Sequence, residues 1–258
     1  MNKTIYNLLF FSSIVLTSCT KIINVDLNNA APVVVIEGTI TNETPAEVSI
    51  TQSVNFSKSN VFPPISGATV QIKDNNGTVY PLTEVSAGIY RNSTLFGQSG
   101  NTYQLTVMAN GKQYTASSTM PPRVPLDTLL FEKIAFGSEA IWIVKPQYTD
   151  PDGFGNCYRF IEKINNVRNP TIWVWDDRIS NNGISTRPLI QGDSVINLND
   201  TIEIEMNCLD KPIFRYFRGL QDLQQQSTTP ANPETNIIGG AVGYFSAHTS
   251  QRRKQTVQ

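Results

Sequence analysis

Between Val33 and Met120 the chain alternates polar and apolar residues with a period of two, and this pattern restricts the fold more than any other feature. Glu47-Val48-Ser49-Ile50-Thr51 and Thr69-Val70-Gln71-Ile72-Lys73 alternate in this way, as do Tyr103-Gln104-Leu105-Thr106-Val107 and Gln113-Tyr114-Thr115-Ala116. On an extended backbone successive side chains point to opposite faces, so each run places one set in a core and the other in water. Asp74-Asn75-Asn76-Gly77 and Ala109-Asn110-Gly111-Lys112 separate such runs and carry Asn-Gly, a two-residue hairpin signal. About seven short strands over roughly 90 residues is the size of a β-sandwich.

Met120-Pro121-Pro122-Arg123-Val124-Pro125 follows. Three closely spaced prolines cannot sit inside a sheet and stiffen a linker, so the domain boundary is expected between residues 122 and 123. The second half is β again but less regular, with strands expected over residues 140–148, 156–163, 171–175 and 201–206. Asp210 suits a helix N-cap and Pro212 is tolerated in a first turn, so the one helix is expected from Lys211 to about Gln226. Ile213, Phe214, Phe217, Leu220 and Leu223 form its apolar stripe. Gly219 interrupts that stripe, which suggests a close approach to the sheet. Residues 227–235 read as a loop, and residues 239–247 as a final strand. The fold class is therefore mainly β: a sandwich domain over residues 33–122, then a second β-rich domain over residues 123–258 carrying one helix. Gly67 to Asp74 is similar to the strand that opens transthyretin-like domains, while the size suits an immunoglobulin-like sandwich. Both topologies stay open.

The N-terminus predicts export. Lys3 is followed by an apolar stretch from Ile5 to Leu16, too short to span a bilayer as a helix and suited to a signal peptide over residues 1–18. It ends Leu16-Thr17-Ser18-Cys19, which resembles a lipobox, where the cysteine receives a diacylglyceryl group and the chain is cut before it. Acylated Cys19 would then be the membrane anchor, each buried methylene contributing about 0.8 kcal/mol. Residues 19–32 read as the tether.

The formal net charge is −1, and removing residues 1–18 subtracts one lysine, so the chain lacks the basic footprint of a nucleic-acid binder. Cys157 and Cys208 are the remaining cysteines. An oxidising compartment permits a disulfide between them; the competing reading is two buried thiols acting as small apolar residues.

Catalytic chemistry finds little material. His248 is the only histidine and is expected at a strand end on the surface. Zinc would need three or four ligands that the chain does not group together, and no cofactor motif is present. Asp176-Asp177 reads as a turn after Trp175, because neighbours on a strand point to opposite faces. Glu203 and Glu205 share the solvated face of a half-exposed strand. Asp150-Pro151-Asp152-Gly153-Phe154-Gly155-Asn156 has a faint likeness to a calcium loop, but Phe154 and Ile161 occupy ligand positions, so a Pro-Asp-Gly turn is expected. Trp173, Trp175, Phe214, Tyr216 and Phe217 are expected in the core rather than on a ligand. No ligand-binding residue and no metal ligand is singled out.

Several segments together resemble one family, the Bacteroidota lipoproteins known as domain of unknown function 4249. They are Val34 to Asn42, Gly67 to Tyr90, Tyr158-Arg159-Phe160, Trp175-Asp176-Asp177-Arg178 with Asn182-Gly183, and Gly192-Asp193-Ser194-Val195. The most specific are Tyr216-Phe217-Arg218-Gly219-Leu220 and Asn236 to Ala247. The resemblance implies an outer-membrane lipoprotein and a role beside a TonB-dependent receptor; it brings no catalytic residues. Surface-exposed lipoproteins of that phylum usually carry acids directly after the cysteine, whereas here the first is Asp26, so the face of the membrane stays open. The expected function is a non-enzymatic accessory or ligand-binding partner of such a receptor. The alternative is an envelope hydrolase of glycans or peptides, working through carboxylates that no motif marks.

Overall fold

The computed structural model describes residues 31–55, 61–136, 139–190, 195–225 and 232–258. The expected signal peptide, Cys19, nearly all of the expected tether, Gly192-Asp193-Ser194 and most of the expected loop at 227–235 lie outside the described residues.

Seven strands arise where the alternation predicts them: β1 (Val34–Thr41), β2 (Ala46–Gln52), β3 (Thr69–Lys73), β4 (Val79–Ser86), β5 (Ile89–Asn92), β6 (Thr102–Ala109) and β7 (Lys112–Thr119). After the prolines come β8 (Leu126–Phe136), β9 (Glu139–Thr149), β10 (Cys157–Ile164), β11 (Val167–Arg168), β12 (Trp173–Asp176), β13 (Ile184–Ser185) and β14 (Thr201–Leu209). The helix α1 (Lys211–Gln224), β15 (Ile237–Ile238) and β16 (Val242–Thr256) complete the chain. The protein is mainly β, as expected.

The hairpin between β6 and β7 turns on Asn110 and Gly111, both at positive φ (52° and 71°), as an Asn-Gly turn requires. At the β3–β4 corner only Gly77 is left-handed, and Asp74 organises the turn by accepting from Asn76 N and Thr78 N at 2.9 Å. A longer Asx-type turn therefore replaces the two-residue turn expected there.

Most strands join one sheet, in the order β11-β10-β14-β16-β1-β2-β5-β4-β3-β6-β7-β15, with β12 beside β10; β13, β9 and β8 form a second. The expected boundary at 122/123 needs correction, because residues from Pro32 to Gln258 form one compact unit. The reason is β16. Its first half runs parallel to β1, pairing Val35 with Val242 through Thr41 with His248, and its second half runs antiparallel to β14, pairing Cys208 with Thr249. The final strand thus serves both halves. It continues to Thr256, well past the expected end.

Two cores flank the prolines. The first gathers Ile36, Ile40, Val48, Ile72, Leu105 and Val107 with Phe245 and Ala247 from β16. The second gathers Tyr148, Phe160, Trp173, Trp175 and Met206 with Val257. Gly243 holds the parallel seam together: its φ is +104°, and a Cβ there would lie 2.1 Å from the Ile36 carbonyl oxygen. Only glycine fits.

On the other face of the sheet α1 packs Ile213 and Phe217 against Cys157, Val174 and Leu209. Asp210 is its N-cap, accepting from Ile213 N at 3.1 Å. Gly219 approaches Pro233 rather than the sheet, with a Cβ position 3.1 Å from the Pro233 Cα.

A candidate ligand pocket and a buried polar band

β12 ends at Asp176, and the chain then turns through residues 177–183 before β13 pairs with β9. The turn is built by Asp177, which is buried and accepts from Gly155 N at 2.6 Å and from Asn156 N at 2.7 Å. Asp176 and Arg178 pair at 2.8 Å. The Asp-Asp motif is a turn, as expected, and the would-be calcium loop is the segment that Asp177 ties down. Among the described residues no group of three or more His, Cys, Asp or Glu is placed to hold a metal ion.

That turn leaves a cavity of about 400 Å³ with Trp175 in its wall and Ser180, Ser185, Thr186 and Arg187 around it. A small molecule of ordinary size fits such a volume. Trp175 is fixed twice: its ring stacks on Phe160 with centroids 4.4 Å apart, and Nε1 donates to the Tyr148 hydroxyl at 2.7 Å. The Arg187 guanidinium stands over the same ring, 5.0 Å from its centroid. Ile179 and Ile184, 86% and 67% exposed, line the same cavity. Trp173, Trp175 and Phe217 are buried, and Phe214 and Tyr216 pack partly buried beside them, so the core reading of these aromatics holds. Trp175 also reaches the pocket. The whole lining comes from residues 175–187, but Arg187 and Ile184 carry no local motif, and only the fold of the turn between β12 and β13 gathers them around Trp175.

A second feature is a polar band on the helix-bearing face of the sheet. Alternation places Arg159 on β10, Asn207 and Glu205 on β14, and Ser246, His248, Ser250 and Arg252 on β16 toward this face. Glu205 bonds Arg252 at 2.8 Å, Ser250 Oγ at 3.1 Å and Asn207 Nδ2 at 3.0 Å. Burial would raise its carboxyl, but these three partners outweigh burial and hold it below the ordinary range. The expected solvated glutamate is instead the centre of a network.

His248 corrects the sequence reading. It is 7% exposed, in the middle of β16, with Nδ1 2.9 Å from Ser246 Oγ. Burial first, and then the charge of Arg159, lower its pKa to about 4. A serine–histidine pair works catalytically when the imidazole takes up the serine proton and the imidazolium is stabilised. Here a guanidinium acts on the histidine instead, which disfavours that ion.

Asp150 and Asp177 are the other acids of interest. Asp150 is fully buried; one oxygen accepts from the Tyr158 hydroxyl, and Oδ2 has no partner. Burial raises its carboxyl, the Tyr158 bond opposes that, and the charge of Asp177 adds to the rise.

Cys157 and Cys208 are free and buried, so of the two readings left open the pair of buried thiols is the one the structure has. β10 and β14 place Cys157 opposite Leu209, and Cys208 opposite Tyr158. Cys157 therefore packs with the helix core and Cys208 with the second sandwich core, on opposite faces of the sheet. Burial pushes the Cys157 thiol up to about 12 and raises Cys208 as well, so both behave as small apolar groups.

Fold and site together define a mainly β domain with one packed helix, a single strand shared by its two cores, and an open pocket beside a buried tryptophan. The chain belongs to the family described as domain of unknown function (DUF4249), whose model matches residues 20–254. No curated protein matches it.

Proposed function

We propose that the chain is a lipid-anchored protein of the bacterial cell envelope that binds rather than transforms its ligand, acting beside a TonB-dependent outer-membrane receptor. The pocket carries this reading. It offers an aromatic wall, a cation, hydroxyls and apolar edges, which suit recognition. Its one acid, Asp176, is paired with Arg178, and the only histidine lies on a different strand, buried. The leader and Cys19 support attachment through acyl chains, and membership in the family supports reading the whole of residues 20–254 as one working unit. Among the described residues no helix is long and apolar enough to cross a membrane.

One observation favours the hydrolase alternative: Asp150 and Asp177 interact, and Asp150 has a raised carboxyl. Asp150, however, is fully buried and bonded to the Tyr158 hydroxyl. Asp177 serves two backbone N–H groups, and neither acid lines the pocket beside Trp175. Binding is the better reading.

The test is direct. Native protein is labelled with an alkynyl fatty acid, and outer membrane is solubilised and pulled down. Label on Cys19, loss of membrane attachment in Cys19→Ala and a receptor among the captured proteins are expected. Recovery from the cytosol with an uncut leader would overturn the reading.

A further inference from the structure

Arg159 presents a problem that its neighbours in the structure do not solve. It sits on β10 opposite Asn207, half-buried, on the face that α1 partly covers. Its guanidinium lies 3.8 Å from the centroid of Phe217 on α1. Phe217 belongs to a three-ring wall: Tyr216 and Tyr244 are 5.0 Å apart, Phe217 and Tyr244 5.0 Å, and Tyr216 and Phe217 5.4 Å. Three separate segments thus meet at one cation.

A ring face attracts a guanidinium but gives nothing to most of its five N–H donors. Buried charges are normally paired, since desolvation without a partner is costly. Yet Arg159 forms no ion pair among the described residues. The acid whose charge reaches it, Glu205, is already held by Arg252, Ser250 and Asn207. Glu37, exposed on β1, acts on Tyr216 and Tyr244 without pairing with Arg159. A second guanidinium, Arg168 on the edge strand β11, is the cross-strand partner of Lys163, on the same face of β10 as Arg159, and likewise has no ion pair among the described residues. Two neighbouring cations and no free acid is the arrangement that an anion completes. Tyr244, whose ring packs 5.0 Å from that of Phe217, brings one more hydroxyl to this face.

We propose that Arg159, Arg168 and the Tyr244 hydroxyl form a second binding site, distinct from the pocket beside Trp175, that takes an anionic group of carboxylate or phosphate type. The aromatic wall orients the Arg159 fork, and Arg168 approaches from the exposed sheet edge. The site stands whether or not the chain partners a receptor.

The experiment uses the chain from residue 20 onward with its anchor cysteine removed. Thermal denaturation is followed against inorganic phosphate and, separately, against succinate, with chloride keeping the ionic strength constant. A saturable rise in Tm with one or both anions is expected, and the arm that responds names the anion. Arg159→Met should weaken the midpoint about tenfold or more, and Arg168→Ala by a few-fold. Arg187→Met, at the other pocket, should leave it unchanged. If Arg159→Met does not fold, Arg168→Ala carries the decision, because its side chain is exposed. No saturable rise with either anion, or an unchanged midpoint in Arg168→Ala, would overturn the proposal.

Discussion

The carboxylate of Asp210 accepts a 2.7 Å hydrogen bond from the Ser118 hydroxyl while capping α1, so one side chain joins the helix to a strand of the first sandwich. The same Asp210 oxygen takes Thr119 N at 2.9 Å, and Ser118 Oγ in turn accepts from Ala247 N at 2.9 Å. Helix, β7 and β16 therefore share one small polar knot. Loss of an N-cap costs about 1 kcal/mol, and stranding buried donors adds 1–3 kcal/mol, so Asp210→Ala should lower stability by about 2–4 kcal/mol in urea denaturation. Asp210→Asn keeps an acceptor for the cap and should cost less. Equal losses in the two variants would show that the cap geometry is unimportant.

His248 makes stability depend on pH. Its folded pKa is depressed to about 4 against an ordinary 6.5, so the folded state holds it neutral while the unfolded chain takes up a proton. Stability is fully present above about pH 6.5, falls as the pH drops through the window to about 4, and flattens below it. A gap of this size corresponds to about 3 kcal/mol. Urea midpoints at pH 7.5 and 4.5 should differ accordingly, and His248→Asn should lose most of the difference.

The two thiols should be silent in the folded protein. With Cys19 replaced, the intact mass should be the same with and without reductant, and a thiol reagent should label two groups per chain only after unfolding. Labelling of the native chain within minutes would contradict their burial.

At the pocket, surface and core effects should separate. Ile179→Ser and Ile184→Ser alter exposed side chains and should change stability by less than about 0.5 kcal/mol in urea denaturation. Trp175→Ala should cost about 3–5 kcal/mol, since it empties a core position.

Gly243→Ala tests the seam between β1 and β16. The added methyl would meet the Ile36 carbonyl at a backbone angle that L-residues avoid, so failure to fold is expected, read as lost near-ultraviolet dichroism and rapid proteolysis.

The first seven strands were legible because runs such as Thr102 to Ala109 keep strict alternation, and burial follows it residue by residue. β8 was missed because its register slips between Leu126 and Thr128, which breaks the period at its start. His248 read as a surface residue because the final strand was expected to stop at Ala247, one residue before it, whereas β16 runs on to Thr256. Glu205 and Glu43 neutralise Arg252 there and let the strand run on. The two cysteines needed the β10–β14 register, which places them on opposite faces and which no local pattern contains. Arg159 showed only as a charge between two aromatics; its meaning depends on Phe217, which arrives on a helix some sixty residues later.

The split pairing of β16 also sets the order in which the molecule can be completed. The strand β1 waits for a neighbour, β16, that lies more than 200 positions later in the sequence. Long-range closure of this kind is slow. A chain in which β16 has not yet been made would therefore carry an open edge along Val34–Thr41, which only the arrival of that strand can shut.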